Sequence, residues 1–383
     1  MTAEVFLRDY WQKKPLLIRN AFPNFQSPLD ANELAGLSLE SEIESRIIIE
    51  HGETPWQLLH GPFEEQTYEN LPPSHWTLLV QAVDQFIPEV AELQESFRFL
   101  PSWRIDDVMI SYATQGGGVG PHYDNYDVFL LQAAGQRRWK IGQACNSQSA
   151  LLKHPDLRIL EHFMDTDEWV LSPGDMLYLP PCLAHWGIAE DDECMTWSLG
   201  FRAPSSAEII THYTDFVARF SPDEDRYSDS QMTLATNPAE IRSEDIQRLR
   251  ALINEQLNDD RLLLTWFGQF MTEPKYPERV QACDVEQDEV TQALIEGALI
   301  LRNPSARFAW STIRLEKDVP AALLFVSGNS RLFSAHLVEL LKLICSDDPL
   351  HLTNLQPWLE DDEALTLISE LIKQGSLEFA DEE

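Results

Sequence analysis

Between residues 107 and 202 the chain is cut into short apolar runs, at 107–114, 122–133, 136–142, 168–171, 175–179, 185–189 and 194–202. Glycine, proline and polar residues separate the runs. Strands this short and this numerous cannot bury a flat sheet on one layer, so they predict a double-sheet jelly roll or closed barrel. Helical segments precede the runs: Phe6–Trp11 reads as a short amphipathic helix, 14–19 as a strand, and 74–99 as helical in period up to Pro88. The expected class is therefore mainly β with added α.

The barrel runs carry an unusual set of polar residues. His122 and Asp124 stand two apart, so an extended strand turns both side chains to one face. His185 follows sixty-one residues beyond Asp124, after the turn-strand-turn stretch Pro173–Pro181. Two histidines and one carboxylate converging on a point form the facial triad that binds non-haem Fe(II) and leaves three adjacent positions open. Asp127, the nearest rival carboxylate, lies three residues past Asp124 and would face away in an unbroken strand. Gly116-Gly117-Gly118-Val119-Gly120-Pro121 runs straight into His122, which lets another backbone approach closely beside the ligands.

A second stretch, Arg137-Arg138-Trp139-Lys140-Ile141, follows the turn Ala134-Gly135-Gln136 and should pair antiparallel with 128–133. Alternation groups Arg137, Trp139 and Ile141 on one face and Arg138 with Lys140 on the other. If Trp139 and Ile141 point inward, so does Arg137, and a lone buried arginine costs several kcal/mol. It needs an anion, either a buried acid of the protein or a dicarboxylic co-substrate gripped by its guanidinium. Ser111, on the run 107–114 with Ala113 on its face, is a further candidate to hold that carboxylate.

Beyond residue 204 the period becomes helical. Ile209, Ile210, Tyr213, Phe216, Val217 and Phe220 form one broad apolar face, and a second helix is expected over 243–270. Such faces must bury, against the barrel or against a second copy of the chain. Pro274 and Pro277 mark a linker, after which strands at 298–302, 307–315 and 322–327 mix with helices at 333–345 and 361–373 and a strand at 376–379. That order is winged-helix-like. The three parts are thus 1–203, 204–275 and 276–383.

Charge narrows the partners. With 28 basic and 63 acidic residues the chain carries −35, a surface that repels phosphate backbones and attracts basic proteins. Residues 321–383 hold three basic side chains against twelve acidic ones, −9, which no groove-reading helix tolerates. No targeting segment or membrane-length apolar run is visible. Five scattered cysteines lack CxxC spacing, so neither a zinc site nor a disulfide framework is expected, and a reducing cytoplasm fits.

With these residues assembled, the chain resembles the JmjC-type bacterial ribosomal oxygenases, cupin-like enzymes dependent on 2-oxoglutarate and Fe(II). The likeness runs from Tyr10–Leu17 through Asp106–Ser111, Gly116–Asp124, Tyr126–Phe129, Arg137–Lys140 and Pro173–His185 to Gly200–Pro204. It implies a double-stranded β-helix, then a helical dimerisation region giving a homodimer, then a winged-helix-like domain. It implies that His122, Asp124 and His185 hold the iron, and that Arg137, fifteen positions after His122, anchors 2-oxoglutarate. The implied reaction hydroxylates an arginine of the sixteenth large-subunit ribosomal protein, consuming O₂ and releasing succinate and CO₂. The alternatives are a histidyl hydroxylase of another ribosomal protein, or a metal-binding cupin module without turnover.

Overall fold

Residues 1–203 are one of two compact units and 204–383 the other; among the described residues the first holds eleven strands and a few short helices. The structure is a computed structural model that describes residues 1–50, 56–154, 156–346 and 348–380. In chain order the strands of the first unit are β1 (Leu16–Ile18), β2 (Ser45–Ile49), β3 (Gln57–His60) and β4 (Trp76–Val80). They continue with β5 (Ile105–Ala113), β6 (Val128–Ala134), β7 (Arg137–Ala144), β8 (Asp167–Leu171), β9 (Met176–Leu179), β10 (Leu183–Ala189) and β11 (Cys194–Phe201). Eight of them form a large antiparallel sheet in the order β1-β9-β6-β11-β5-β4-β2-β3, faced by a smaller sheet β10-β7-β8. This is the expected double-sheet jelly roll.

Alternation along the strands sorts the core into two layers. Val128 and Leu130 of β6 and Leu177 and Leu179 of β9 point between the sheets, where they meet Trp139 and Ile141 of β7 and Leu171 of β8. The intervening residues Phe129, Leu131, Met176 and Tyr178 point the other way, onto an outer layer with Trp197, Leu199 and Phe201 of β11. The helix Ala3–Asp9 closes that layer by burying Phe6 against Tyr178, ring centroids 4.9 Å apart. Its N-terminus is capped by Thr2, whose hydroxyl accepts from Val5 N.

Two local expectations fail. Residues 74–99 are not helical: Trp76–Val80 is β4, paired with β2 and β5, and only short helical turns follow at Val83–Gln85, Pro88–Ala91 and Glu92–Phe97. Thr77-Leu78-Leu79-Val80 is buried on both faces, a continuous apolar run whose period fits either state, and pairing on two edges decides it. The strand expected at 122–133 begins only at Val128. Upstream, His122 makes a single bridge to His185, and the Asp124 carbonyl accepts from Cys182 N at 2.6 Å, so this chain is pinned without a ladder.

In the second unit, helices Ser206–Ala218, Ser243–Leu257 and Asp260–Thr272 pack around Tyr213, Val217 and Trp266. The single helix expected over 243–270 is broken at Asn258-Asp259, because the Asp259 carboxylate caps the next turn by accepting from Arg261 N and Leu262 N. Three antiparallel strands, Phe308–Arg314, Pro320–Val326 and Asn329–Ser334, form a meander, and Ile300–Arg302 pairs with the closing strand Leu377–Phe379. The third strand of the meander and a helix at Gln287–Glu296 are additions to the sequence reading. Among the described residues no helix is long and apolar enough to cross a membrane. The acidic end, 381–383, lies outside the described residues.

Candidate active site

The small sheet places the chemistry. In its register His185 lies opposite Ile141, Gly187 opposite Trp139, and Ala189 opposite Arg137. All six residues therefore share the face turned into the barrel, Gly187 without a side chain. His185 is 3% exposed and sits at one end of this row; Arg137, 4% exposed, sits at the other. Four residue steps along the strand separate the two positions, about 13 Å of backbone at roughly 3.3 Å per residue.

At the first end, ligand atoms of His122, Asp124 and His185 all lie within 4.8 Å of one another. The Asp124 Oδ2 stands 3.5 Å from His185 Nε2 and 4.0 Å from His122 Nε2. Each imidazole is oriented by its own chain: His122 Nδ1 donates to Gly120 O and His185 Nδ1 donates to Leu183 O, both at 2.9 Å. A carbonyl only accepts, so the proton of each neutral ring is fixed on Nδ1 and the Nε2 lone pair is left free. Burial, then the neighbouring His122, pushes the pKa of His185 down to about 4, against the pull of Asp124. At neutral pH it is an uncharged imidazole, the form that ligates a metal. Two oriented Nε2 atoms and one carboxylate oxygen on a common point fit a divalent cation with open positions.

At the other end Arg137 points inward, as alternation requires. Its Nε donates to Cys194 Sγ at 3.3 Å and its Nη1 to Ser111 Oγ at 3.4 Å, while Nη2 is buried without a partner. Among the described residues no carboxylate stands within ion-pair distance of it. Its outward neighbours differ: Arg138 is paired with Glu168 and Glu190, and Lys140 lies 3.0 Å from Asp165. Acids thus pair the outward cations of β7, while Arg137 has none within ion-pair distance among the described residues and its guanidinium is free to take an anion. The wall around it is small, with Ala113, Ala189 and Cys194 in mutual contact.

The glycine run lets the loop before His122 lie close against its neighbours. Gly118 bridges Ile188, and a Cβ on it would stand 2.5 Å from the Gly187 carbonyl oxygen. Gly120 has φ +81°, a left-handed conformation that turns the chain into His122. Asp127 is fully buried and holds Tyr178 Oη at 2.6 Å, Gln12 Nε2 at 2.9 Å and Arg104 at 3.3 Å, so it braces the outer layer and stands apart from the triad. Asp107 likewise accepts from Gln81 Nε2. Sequence reasoning passed over Cys194 as a contact of Arg137; its signal was strand parity, since Cys194, Thr196 and Ser198 share one face of β11.

The comparisons agree with this geometry. The JmjC domain family matches residues 92–209 and the ROXA-like winged helix family matches residues 255–378. A curated relative, the ribosomal protein uL16 3-hydroxylase of Escherichia coli K12, is 36% identical over 97% of this chain and 95% of its own length. A probable ribosomal oxygenase of Haemophilus influenzae is 34% identical over 81% of this chain and 79% of its own length. Among solved structures, the Escherichia coli ribosomal oxygenase YcfD in complex with cobalt and 2-oxoglutarate superimposes with a TM-score of 0.86 at 33% identity, covering all of this chain and 99% of that one. The chain belongs to the JmjC-type ribosomal oxygenase family.

Proposed function

We propose that this protein is a 2-oxoglutarate- and Fe(II)-dependent oxygenase that hydroxylates an arginine side chain of ribosomal protein uL16. One observation carries the reading: three oriented metal donors at one end of a buried row and an arginine without a carboxylate partner at the other. A metal binder without turnover has no use for the second feature. Substrate, O₂ and 2-oxoglutarate become hydroxylated substrate, succinate and CO₂, which balances every atom. Iron, when bound, supplies the activation of O₂ and the attack on an unreactive C–H bond. The residues of the chain do the rest.

His122, Asp124 and His185 would hold the metal, with the carbonyls of Gly120 and Leu183 keeping both rings aimed. Arg137, steadied by Cys194 and Ser111, would bind the far carboxylate of the co-substrate. The apolar layer of Leu130, Ile141, Leu171 and Leu177 excludes water from the space beside them. The choice of uL16 rests on the relative of that name and on charge, since a −35 protein attracts a basic ribosomal substrate, in the cytoplasm where that substrate is made; the choice of arginine over histidine rests on the family resemblance alone.

A homodimer is part of the proposal. Ile246, Leu249 and Ile253 form an exposed stripe on one helix, 47%, 43% and 46% exposed, and Ile210 on another is 64% exposed. Apolar stripes of this kind mark association surfaces. The function itself is tested by the intact mass of purified uL16 after incubation with this protein, Fe(II) and 2-oxoglutarate in air. A gain of one oxygen that disappears with His122→Ala is expected; no gain with the wild type overturns the substrate assignment.

A further inference from the structure

Arg137 is not the only buried donor left over on this strand. Trp139, two residues on and on the same inward face, is 4% exposed, and its indole Nε1 has no hydrogen-bond partner. A buried N–H without an acceptor is costly to keep, so its neighbourhood is informative. The indole stands between the two ends of the site: its ring centroid is 6.0 Å from that of His185 and 5.7 Å from the Arg137 guanidinium carbon. Its partner in the register is Gly187, where a Cβ would come within 2.7 Å of the indole, so only glycine lets the ring lie there. The ring therefore forms the side wall of the row that runs from the triad to the anion site.

Arg137 brings five N–H bonds to the anion site. One goes from Nε to Cys194 and one from Nη1 to Ser111, which leaves three, both of those on Nη2 and the second on Nη1. A carboxylate offers about four lone-pair positions. Two unpartnered donors, on one face and two residues apart, call for one ligand that accepts from both. We propose that the Trp139 indole N–H is a second donor to the carboxylate held by Arg137, so that Trp139 binds the dicarboxylate co-substrate and discriminates against keto acids lacking the far carboxylate. The unpartnered indole of Trp197 does not share this setting, because it lies in the outer apolar layer away from the triad. The inference rests on the co-substrate reading given above.

The test uses the full chain loaded with zinc, which binds without turnover, and titrates it with 2-oxoglutarate and separately with pyruvate, which lacks the far carboxylate. Trp139→Phe replaces the indole by a smaller aromatic ring and removes the N–H, so a loss through packing alone would weaken binding of both acids equally. It is expected to weaken 2-oxoglutarate binding about tenfold, the usual size for a hydrogen bond to a charged group, and to leave pyruvate binding unchanged. In the ¹⁵N-labelled wild type, one indole N–H resonance, absent from the Phe variant, should shift on adding 2-oxoglutarate and stay in place with pyruvate. Unchanged 2-oxoglutarate affinity in Trp139→Phe, or equal weakening for both acids, overturns the role of the N–H while leaving the co-substrate reading intact. Failure of the wild type to bind 2-oxoglutarate overturns both. If the variant folds poorly, the wild-type spectrum decides the matter alone: the lack of any indole resonance that shifts with 2-oxoglutarate and not with pyruvate overturns the role of the N–H.

Discussion

A buried arginine with no carboxylate partner is a cost that the co-substrate-free protein carries, and it gives the residue-scale account a stability consequence. Replacing Arg137 by Met removes the unpaired charge and roughly keeps its volume, so the free protein should gain stability. A unit of this size gains about 2–4 °C in Tm per kcal/mol. The same variant should lose the stabilisation that added 2-oxoglutarate gives the wild type. Thermal scans with and without co-substrate check both signs; a variant less stable than wild type when free would mean that Arg137 serves packing instead. The grouping of His122, Asp124 and His185 and the inward turn of Arg137 toward Ser111 were legible in the sequence as placements, because a two-residue period and a turn fix which side chains share a face. What parity could not show is that Asp127, close by in sequence, is spent on Tyr178 and Arg104. That assignment depends on contacts with Arg104, Tyr178 and Gln12, which lie 23, 51 and 115 residues away along the chain.

At the scale of elements, the site depends on how closely β7 and β10 lie. Gly187→Ala should therefore force the indole of Trp139 or the strand itself to move, at about 1–3 kcal/mol. A lower Tm together with weaker 2-oxoglutarate binding would be seen in one titration series; unchanged values for both would contradict the wall role of the ring. Gly268→Ala makes a useful contrast, since a Cβ there overlaps the Phe325 ring within the second unit. It should lower the stability of that unit while leaving 2-oxoglutarate affinity untouched. Strand elements of the barrel read well from the sequence because turns bounded them. β4 did not, because an apolar run buried on both faces carries no period, and only its pairing with β2 and β5 makes it a strand. The break at Asn258-Asp259 was missed for a related reason: capping by one carboxylate outweighs a continuous apolar stripe.

For the whole molecule, charge and association are the measurable properties. Encounter with a basic ribosomal protein should slow markedly between low and physiological salt, since surface attraction is screened beyond about 8 Å at 0.15 M. Stopped-flow association rates check this, and a rate indifferent to salt would remove the electrostatic part of the account. Ile246→Asp combined with Ile253→Asp puts charges into the exposed apolar stripe and should yield monomers by light scattering without unfolding the barrel. The barrel and the winged-helix end were both readable from element order, whereas the way the helices between them cover their apolar faces was not, because burial of a helix face does not name its partner.

The most direct test of the central claim follows the oxygen. Purified uL16 is incubated with this protein, Fe(II), 2-oxoglutarate and isotopically heavy O₂, and its peptides are sequenced by mass spectrometry. The account predicts one heavy oxygen on a carbon of an arginine side chain, and one heavy oxygen in each succinate formed, with both lost in His122→Ala. A hydroxyl oxygen drawn from water, or placed on a histidine, would contradict it.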